Sequence, residues 1–380
     1  MLFLYASTPW LVLIVYMAIR VRLPRPLVAV SATGSDAALV SVIVPARNEE
    51  RSIRQCVESI CASDYPAFEV IVVDDRSDDS TAEVARSIAP NCARRVLVIT
   101  GAELPLGWFG KPWACTQGVH EAEGDLLLFT DADTVHAPSL LAMAVAGLEE
   151  DAAAALTVMG RQIMESFWER LVQPQVAVPM LLRFANMGRP CEPRGWRGAI
   201  ANGQYLLFRR SVYEELGGHE AVRNEVVEDQ RLAQILCRSG KRLTVREGSA
   251  VFATRMYRSL AELIEGWSKN TATGARHSIP SWARLPVMWM ALLSGVTLWI
   301  MPPVLALLGV AGIAPAAWGV WASWVTGTSA LFWAAATWRL HGLPWYGSLY
   351  PLGAVVGAYI FVRSWVRGSR IEWKGREYGA

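Results

Sequence analysis

The last quarter of the chain constrains the fold most, because it is apolar almost without interruption. From Leu285 to Val362 there are almost no ionisable residues, and 11 of the 17 Trp residues follow Ser281. A hydrocarbon core needs roughly 20 apolar residues per helical span, and Trp and Tyr stand where interfacial belts place them. We therefore predict a membrane region at 285–363 with about three segments, followed by a basic tail at 364–380. The expected segments are 286–310, 315–337 and 346–362.

A second apolar run opens the chain, from Leu2 to Ile19. At about 1.5 Å per residue this run is just long enough to cross a bilayer. Its basic residues, Arg20, Arg22 and Arg25, follow the run, whereas a signal peptide carries its basic residues in front. Positive charge favours the cytoplasmic side. The sequence therefore predicts an uncleaved anchor at 1–20 with the following residues in the cytoplasm.

The number of C-terminal crossings stays open at this stage. Three crossings from a cytoplasmic domain place the tail outside, yet Arg363, Arg367, Arg370 and Lys374 favour the inside. A split or re-entrant segment at Pro302-Pro303 restores an even number of crossings.

Between the apolar regions, residues 38–280 have the composition of a soluble α/β domain. Apolar runs alternate with segments of helical spacing, which indicates a mainly parallel sheet with helices on both faces. Ligands bind beyond the carboxyl ends of the strands in such a sheet, and polar clusters follow three strands, at 45–49, 74–75 and 131–133. The expected strands are 39–45, 68–73, 96–100 and 125–129, and the expected helices are 50–62 and 80–89.

Composition narrows the classes of function. The chain is 53% hydrophobic and 18% charged, which excludes disorder. Its 36 Lys and Arg against 34 Asp and Glu leave a net charge of +2, which argues against a nucleic-acid partner. The six Cys residues show neither a C-x-x-C pair nor zinc-ligand spacing, so we expect free thiols in a reducing compartment.

Asp131 and Asp133 stand two residues apart where the fourth expected strand ends. Two carboxylates at this spacing can hold a divalent cation whose other ligands are phosphate oxygens. The D-x-D pattern is common by chance in loops, but here two acidic strand ends precede it. The sequence therefore predicts a cation and phosphate site at this edge of the sheet.

Five motifs in order resemble the family 2 glycosyltransferases of GT-A fold, and the resemblance covers residues 38–278. The motifs are Ser41-Val-Ile-Val-Pro45-Ala-Arg-Asn-Glu49, Val-Ile-Val-Val-Asp74-Asp75-Arg-Ser-Asp78-Asp79, Gly110-Lys111, Thr-Asp131-Ala-Asp133 and Val-Glu228-Asp229. Within the family, Gly107-Trp-Phe-Gly-Lys111-Pro-Trp and Trp267-Ser-Lys-Asn270 are most similar to the hopanoid-associated enzymes of bacteria. Enzymes that glycosylate carotenoid acids or ceramide are close relatives.

The resemblance implies a Rossmann-like GT-A fold and a nucleotide-sugar donor, with uracil as the usual base. Asp75 is then expected to accept a hydrogen bond from the base, and Lys111 to pair with the diphosphate. The D-x-D carboxylates would hold Mg²⁺ or Mn²⁺. One of Asp74 and Asp75 is expected to serve only the turn. The implied donor-binding residues are Pro45, Arg47, Glu49, Asp75, Lys111 and Asp131, and the implied metal ligands are Asp131 and Asp133.

The resemblance also assigns the chemistry of transfer. Asp229 is the expected base, since inverting transfer needs a carboxylate that takes the proton of the attacking hydroxyl. Glu228 is expected to tune its pKa or bind the acceptor. The alternative reading is an acidic helix start, with no catalytic role. Trp267, Lys269 and Gly203 are expected at the acceptor or membrane interface.

The sequence departs from processive relatives, which carry a Q-x-x-R-W motif. Gly266 stands before Trp267 in place of arginine, and Leu263 takes the glutamine position. This departure favours transfer of a single sugar. The segment 166–187 is too interrupted to span a membrane, so it is either an in-plane helix or buried in the domain. Basic residues that could meet anionic headgroups follow it, namely Arg183, Arg189, Arg194 and Arg197.

Together these features predict an inverting hexosyltransferase, multi-pass in the bacterial inner membrane, with a cytoplasmic catalytic domain. The acceptor would be a hydroxyl of a membrane lipid of hopanoid, carotenoid or sphingolipid type. Two alternatives stay open. One is a polyprenyl-phosphate glycosyl synthase, in which a phosphate attacks. The other is a membrane scaffold or transporter that only binds nucleotide, which the scarcity of ionisable residues in the apolar segments disfavours.

Overall fold

The computed structural model describes residues 2–29, 37–367, 371–373 and 376–378. It separates into two compact units. We call them the sheet unit, which comprises Arg22–Ile163, Met187–Met256 and Glu372–Ala380, and the helical unit, which comprises Met1–Val21, Met164–Asn186 and Tyr257–Ile371. Each is described by itself.

The strands are short and lie mostly in the sheet unit. They are β1 (Arg25–Pro26), β2 (Val40–Ala46), β3 (Phe68–Asp74), β4 (Val96–Thr100), β5 (Leu126–Phe129), β6 (Thr134–His136), β7 (Ala155–Met159), β8 (Arg161–Gln162), β9 (Leu206–Arg209), β10 (Leu243–Glu247), β11 (Phe252–Thr254), β12 (Ile371–Trp373) and β13 (Arg376–Tyr378).

Helices occur in both units. They are α1 (Leu2–Arg20), α2 (Ile53–Cys61), α3 (Thr81–Arg86), α4 (Gly110–Glu121), α5 (Leu140–Glu150), α6 (Phe167–Arg183), α7 (Arg210–Glu215), α8 (Glu228–Arg238), α9 (Leu260–Ser278), α10 (Arg284–Gly295), α11 (Met301–Val310), α12 (Ala316–Arg339) and α13 (Tyr350–Arg367). Short 3₁₀ helices lie at Pro193–Gly198, Gly218–Val222, Ser281–Ala283 and Pro344–Leu349, and a π-helical turn lies at Val296–Ile300.

The main sheet has eight strands in the order β1-β10-β7-β9-β5-β2-β3-β4. All neighbours pair in parallel except β9, which runs antiparallel to both β5 and β7. A smaller sheet has the order β6-β11-β8. The prediction of a mainly parallel sheet is confirmed, and the four expected strands lie within one residue of β2, β3, β4 and β5.

The central strands are apolar because helices cover both of their faces. Every residue of β3 and β5 is buried, and β2 is buried except at Pro45. Helix α4 packs closely on this sheet, since a Cβ at Gly118 would lie only 2.5 Å from Cγ2 of Ile43. Because β2 pairs in parallel with both β3 and β5, the carboxyl ends of all three strands lie side by side.

The helical unit contains α6, which forms the segment that the sequence left open. Ser166 caps this helix, and Ser166 and Glu169 form a reciprocal capping box. Its middle, 171–175, is buried at every position, whereas Phe167 and Met180 toward the two ends are exposed. The helix packs against α12 and α13 within the helical unit, so its middle is buried in that unit and not in the sheet core.

Two of the described helical runs are long and apolar enough to cross a membrane, Ser281–Val310 and Pro344–Arg367. The middle predicted segment forms α12, but its many Trp, Ser and Thr residues make it less apolar. The run 281–310 is helical throughout, so Pro302-Pro303 follows a π-helical turn and does not break the run. A π-turn is one of the ways in which a helix accommodates a disrupted hydrogen-bond ladder.

The expectation that every cysteine is a free thiol is wrong for one pair. Cys191 and Cys237 form a disulfide with their Cα atoms 5.8 Å apart. The pair is separated by 46 residues, and only the packing of the loop before the 193–198 turn on α8 brings it together. The other four, Cys56, Cys61, Cys92 and Cys115, are free.

Candidate active site

The D-x-D pair is held between the two sheets of the sheet unit. Asp131 and Asp133 lie between the end of β5 and the start of β6, and the intervening Ala132 is buried in the core. Thr254 of β11 donates its hydroxyl proton to the backbone oxygen and to Oδ1 of Asp133, both at 3.3 Å. The burial of Ala132 anchors the segment and leaves both carboxylates partly exposed.

Lys111 connects this pair to the start of α8. Its Nζ lies 2.7 Å from Oδ1 of Asp131 and 2.8 Å from Oε1 of Glu228. Burial by itself would lower the pKa of Lys111, but the carboxylates of Asp131, Glu228 and Asp229 hold that pKa well above its usual range. The ammonium is therefore charged at neutral pH, and this one cation interacts with three carboxylates.

Asp229 has the properties of a proton acceptor. Its Oδ2 accepts the backbone N–H of Gly203 at 2.7 Å, and its Oδ1 accepts the N–H of Gln230 at 2.7 Å. Burial and the charge of Glu228 raise the pKa of Asp229 to about 6, although Lys111 and the backbone bonds act in the opposite direction. A base with a pKa near 6 is ionised at neutral pH and still takes up protons readily.

The alternative reading of Glu228 and Asp229 as an acidic helix start describes their position correctly. Both lie in the first turn of α8, where carboxylates complement the helix dipole. The cap residue Val227 makes no side-chain cap bond, however, and Asp229 also accepts a bond from Gly203, which lies outside the helix. The helix start therefore aims Asp229 at the loop that contains Gly203.

Gly203 is required by close packing within the cluster. A Cβ at this position would lie 2.9 Å from Oδ2 of Asp229 and 3.0 Å from Nζ of Lys111. The groups that approach Gly203 are therefore two charged side chains of the cluster, and its expected place at the acceptor interface stays a prediction. Any larger residue would displace one of them.

The donor-binding residues predicted at the strand ends lie together, but two of them support the loops. Arg47 donates hydrogen bonds of 2.7 Å to the carbonyls of Asp75 and Arg76, and is buried. Glu49 accepts a bond from the hydroxyl of Ser52 at 2.7 Å. The Arg47 bonds fix the loop after β3 that carries Asp75, whereas the Glu49–Ser52 bond lies within the segment after β2.

Asp74 and Asp75 make different contacts. Oδ1 of Asp74 accepts the N–H of Ser77 at 3.3 Å, which closes the turn after β3. Asp75 is buried, and its N–H donates to the carbonyl of Ala46 at the end of β2. Pro45 of β2 pairs with Val73 of β3, so the segments that carry Pro45 and Asp75 lie side by side at one edge of the sheet.

The residues present fit a divalent cation only in part. Carboxylate oxygens suit Mg²⁺ or Mn²⁺, and Asp131 and Asp133 supply them. No group of three or more His, Cys, Asp or Glu that could hold a metal occurs among the described residues. The chemistry of the pair therefore fits a cation that takes its remaining ligands from a bound diphosphate and water.

His136, three residues beyond Asp133, makes its contacts within the core. Its Nε2 lies 3.1 Å and 3.0 Å from the hydroxyls of Thr130 and Thr134. Burial lowers the pKa of His136 to about 3, so the ring is neutral and part of the core.

Trp267 and Lys269 lie on α9 in the helical unit. Nε1 of Trp267 donates to Oε1 of Gln173 on α6 at 2.9 Å. A Cβ at Gly266 would lie 2.3 Å from the ring of Tyr257, so the position before Trp267 has no room for a side chain. This packing explains the absence of the arginine found in processive relatives.

Sequence reasoning missed the residues that support the cluster. Thr254 lies 121 residues beyond Asp133 on a three-residue strand. Gln204 bonds Thr254 at 3.2 Å, and its carbonyl accepts the hydroxyl proton of Thr130. In the sequence, the one feature that could have pointed to Gln204 is its position next to Gly203, which was expected at the acceptor interface.

The candidate site lies in a part of the chain that is similar to a known family. Residues 41–217 match the model described as Glycosyl transferase family 2. This segment includes β2, β3 and β5 with their carboxyl-end loops, and Lys111 and the D-x-D pair. The segment is therefore similar to the family 2 glycosyltransferases, and the chain has a GT-A fold.

Several relatives are similar along most of their length. The 4,4'-diaponeurosporenoate glycosyltransferase of Staphylococcus aureus strain USA300 is 27% identical over 364 residues, which are 89% of this chain and 88% of that protein. The enzyme of the same name from strain MRSA252 is 28% identical over 362 residues, with the same shares covered.

The fold likeness extends to a solved structure. The mannosyltransferase PcManGT from Pyrobaculum calidifontis, in complex with GDP-Man and Mn²⁺, superposes with a TM-score of 0.56 at 19% identity and covers 93% of each chain. The predictions of the fold and of the enzyme class are confirmed. The hopanoid subgroup stays a prediction.

Proposed function

We propose that this enzyme transfers a single sugar, with inversion of the anomeric centre, from a nucleoside diphosphate sugar to a membrane lipid. The observation that carries the proposal is the bridge from Asp131 through Lys111 to Glu228, with Asp229 beside it. The bridge joins a diphosphate-side acidic pair to a carboxylate that accepts protons. Transfer needs both within one cluster.

In this proposal the chain's own residues have separate tasks. Pro45, Arg47, Glu49 and Asp75 form or support the nucleotide side, and Lys111 neutralises the diphosphate. Asp229 takes the proton of the attacking acceptor hydroxyl on the face opposite the leaving group. Glu228 keeps the pKa of Asp229 raised, and Gly203 leaves room for both charged side chains.

Asp131 and Asp133 would hold Mg²⁺ or Mn²⁺ together with the diphosphate. When bound, this cation stabilises the negative charge that develops on the leaving diphosphate. The mannosyltransferase of similar fold was solved with GDP-Man and Mn²⁺, which supports a divalent cation and a nucleotide-sugar donor. A uridine diphosphate sugar is the donor that the family resemblance favours.

The lipid acceptor is supported by two observations. The similar S. aureus enzymes are named for diaponeurosporenoate, and the C-terminal part has two runs long and apolar enough to span a membrane. We propose a carotenoid, hopanoid or sphingolipid-like acceptor. The arrangement would be an anchor at 1–20, a catalytic domain at 38–280, a membrane region at 285–363 and a basic tail at 364–380, in the inner membrane.

Lipid mass spectrometry tests this proposal directly. Cells that express the wild-type chain should gain a lipid species heavier by one hexose or related sugar, and cells that express Asp229→Asn should lack it. Appearance of a sugar on a polyprenyl phosphate in both strains would favour the phosphate-acceptor alternative, which needs no base. Nucleotide binding without any new lipid would favour the scaffold alternative.

Cys92 reports the orientation of the catalytic domain, since it is exposed and free. Cys237 is in a disulfide, and burial raises the pKa of Cys56 to about 12, so neither reports on topology. Disulfides are typical of oxidising compartments, whereas the arginines after the anchor favour the cytoplasm. A cytoplasmic domain predicts that an impermeant thiol reagent labels Cys92 only after permeabilisation, with Cys92→Ser as the control.

A further inference from the structure

One surface of the sheet unit combines arginine with tryptophan and takes no part in the site above. Arg189, Arg194 and Arg197 lie in or beside the 193–198 turn, and Arg238 ends α8; all four are exposed. The Arg197 guanidinium lies 4.3 Å from the centre of the Trp196 ring, and that of Arg238 lies 5.6 Å from it. We call these four arginines and Trp196 the arginine arc.

The disulfide attaches the arginine arc to the helix that carries the candidate base. Cys191 lies in the arc's segment, and Cys237 is the residue before Arg238. Helix α8 begins with Glu228 and ends at Arg238. Whatever binds the arc is therefore held at a fixed position relative to the start of α8.

The segment of the arc begins beside Arg22 and Leu23 of the sheet unit. The N–H of Gly188 donates to the carbonyl of Arg22 at 2.8 Å, and a Cβ at Gly188 would lie 2.3 Å from the carbonyl oxygen of Leu23. In the sequence, Arg22 follows the predicted anchor at 1–20 by two residues. The segment therefore packs on the residues that come directly after the predicted anchor.

The charge of the arc suits an anionic surface. Its segment, 187–198, contains one acidic residue, Glu192. Among the described residues no carboxylate forms a salt bridge with Arg189, Arg194 or Arg238. Guanidinium groups are weakly hydrated and bind phosphate through two donors, and tryptophan is enriched at the headgroup level of membranes.

We propose that the arginine arc docks the sheet unit on the anionic headgroups of the bilayer. The proposal rests on the membrane anchoring in the proposed function. Arginine near an anionic bilayer contributes about fivefold per residue to the binding equilibrium. Docking would hold the donor site next to the surface where a lipid acceptor arrives.

Hydrogen exchange of the full chain in nanodiscs tests the docking. Exchange of segment 187–200 is compared in phosphatidylcholine nanodiscs and in nanodiscs that also contain phosphatidylglycerol. We expect exchange to slow by about fivefold or more with phosphatidylglycerol, and the double variant Arg194→Gln with Arg197→Gln to lose most of this slowing, since only Arg189 and Arg238 remain. The double variant Arg51→Gln with Arg54→Gln removes the same charge from an exposed region at α2 and should keep the effect.

Three outcomes overturn the proposal. The first is equal exchange of segment 187–200 in the two kinds of nanodisc. The second is that the α2 control variant loses the slowing as much as the arginine-arc variant does. The third is the same slowing by soluble glycerol phosphate in phosphatidylcholine nanodiscs, which indicates a phosphate site. Sugar transfer is measured on the same samples. Transfer without lipid-dependent protection overturns docking alone, and protection without transfer overturns the proposed function alone. Thermal unfolding of each variant checks that it is folded.

Discussion

Two carboxylates of the sheet unit, Glu69 and Asp229, are both poorly accessible to water but differ in pKa in opposite directions. Burial tends to raise the pKa of each. Glu69 accepts bonds from Ser41 at 2.5 Å, the N–H of Glu123 at 2.7 Å and Nε of Arg95 at 2.6 Å, and these partners lower its pKa. The neighbouring Glu228 instead raises the pKa of Asp229 to about 6.

The difference follows from the number of cations near each group. Glu69 lies near the amino end of β3, where two arginines, Arg94 and Arg95, pair with two carboxylates, Glu69 and Glu123. At the opposite end of the sheet, one cation, Lys111, acts on three carboxylates, Asp131, Glu228 and Asp229. A carboxylate that is paired with a cation stabilises the fold. A cluster with more carboxylates than cations lowers the stability of the fold, but it can bind a divalent cation and accept a proton.

The excess of negative charge around Lys111 predicts the largest effect, which is that sugar transfer depends completely on a divalent cation. Asp131 and Asp133 face a diphosphate in the proposed complex, and carboxylates repel phosphate unless a cation lies between them. EDTA should abolish sugar transfer, and Mn²⁺ or Mg²⁺ should restore it. Thermal unfolding should show that EDTA leaves the Glu69 region and the fold intact. Full transfer in excess chelator would exclude the assignment of the D-x-D pair.

Replacing Asp229 by Asn should give the next largest effect. The change keeps the size of the side chain but removes proton acceptance, which contributes roughly 10²- to 10⁴-fold to turnover. Donor affinity should change by only a few-fold, because Asp229 acts on the acceptor. Turnover and donor binding are measured side by side, with Asp75→Ala as the matched variant that should weaken donor binding instead. Near wild-type turnover in folded Asp229→Asn would leave only the helix-start role.

The same substitution should become less destabilising as pH rises. The folded-state pKa of Asp229 is raised, so the folded state binds the proton more tightly than the unfolded state does. Its contribution therefore becomes less favourable as pH rises from about 4 to 6. Asparagine leaves the N–H of Gly203 or of Gln230 without its acceptor at every pH. The unfolding temperature of Asp229→Asn relative to the wild type should therefore be lowest near pH 4 and should increase toward neutral pH.

Glu69→Gln should have the opposite profile, with a moderate loss of stability and normal catalysis. Glutamine keeps an acceptor for Ser41 and Glu123 but loses the ion pair with Arg95, which costs about 1–3 kcal/mol. The pKa of Glu69 is lowered on folding, so its contribution is present above its unfolded pKa and lost as pH falls. Denaturant unfolding at neutral and acidic pH should show a difference that shrinks with acidity. A loss of turnover in folded Glu69→Gln would contradict the comparison.

How much of this could be predicted differs between the two carboxylates. The sequence predicts a site role for Asp229 because its motif follows four others in order, and it predicts the strand ends because apolar runs stop at polar clusters. It gave no sign of Glu69, whose partners Ser41, Arg95 and Glu123 are brought together by strand register. The Cys191–Cys237 disulfide, the support of Asp133 by Thr254 and the packing of Gly266 on Tyr257 likewise depend on packing that a linear pattern does not contain.

The smallest expected effect concerns the acidic limb of the pH profile. If Asp229 is the base, kcat/KM for the acceptor, measured at saturating donor, should fall as pH drops below about 6. The reason is that the protonated carboxyl accepts no proton. Glu228 is the charged neighbour that raises this pKa, so Glu228→Gln should move the limb to lower pH, while Lys111 then acts on fewer carboxylates and pushes it further in the same direction. Glu69→Gln, which removes a distant carboxylate, should leave the limb unmoved. A pH profile that is identical in wild type and Glu228→Gln would mean that the two carboxylates do not interact and that another group sets the limb.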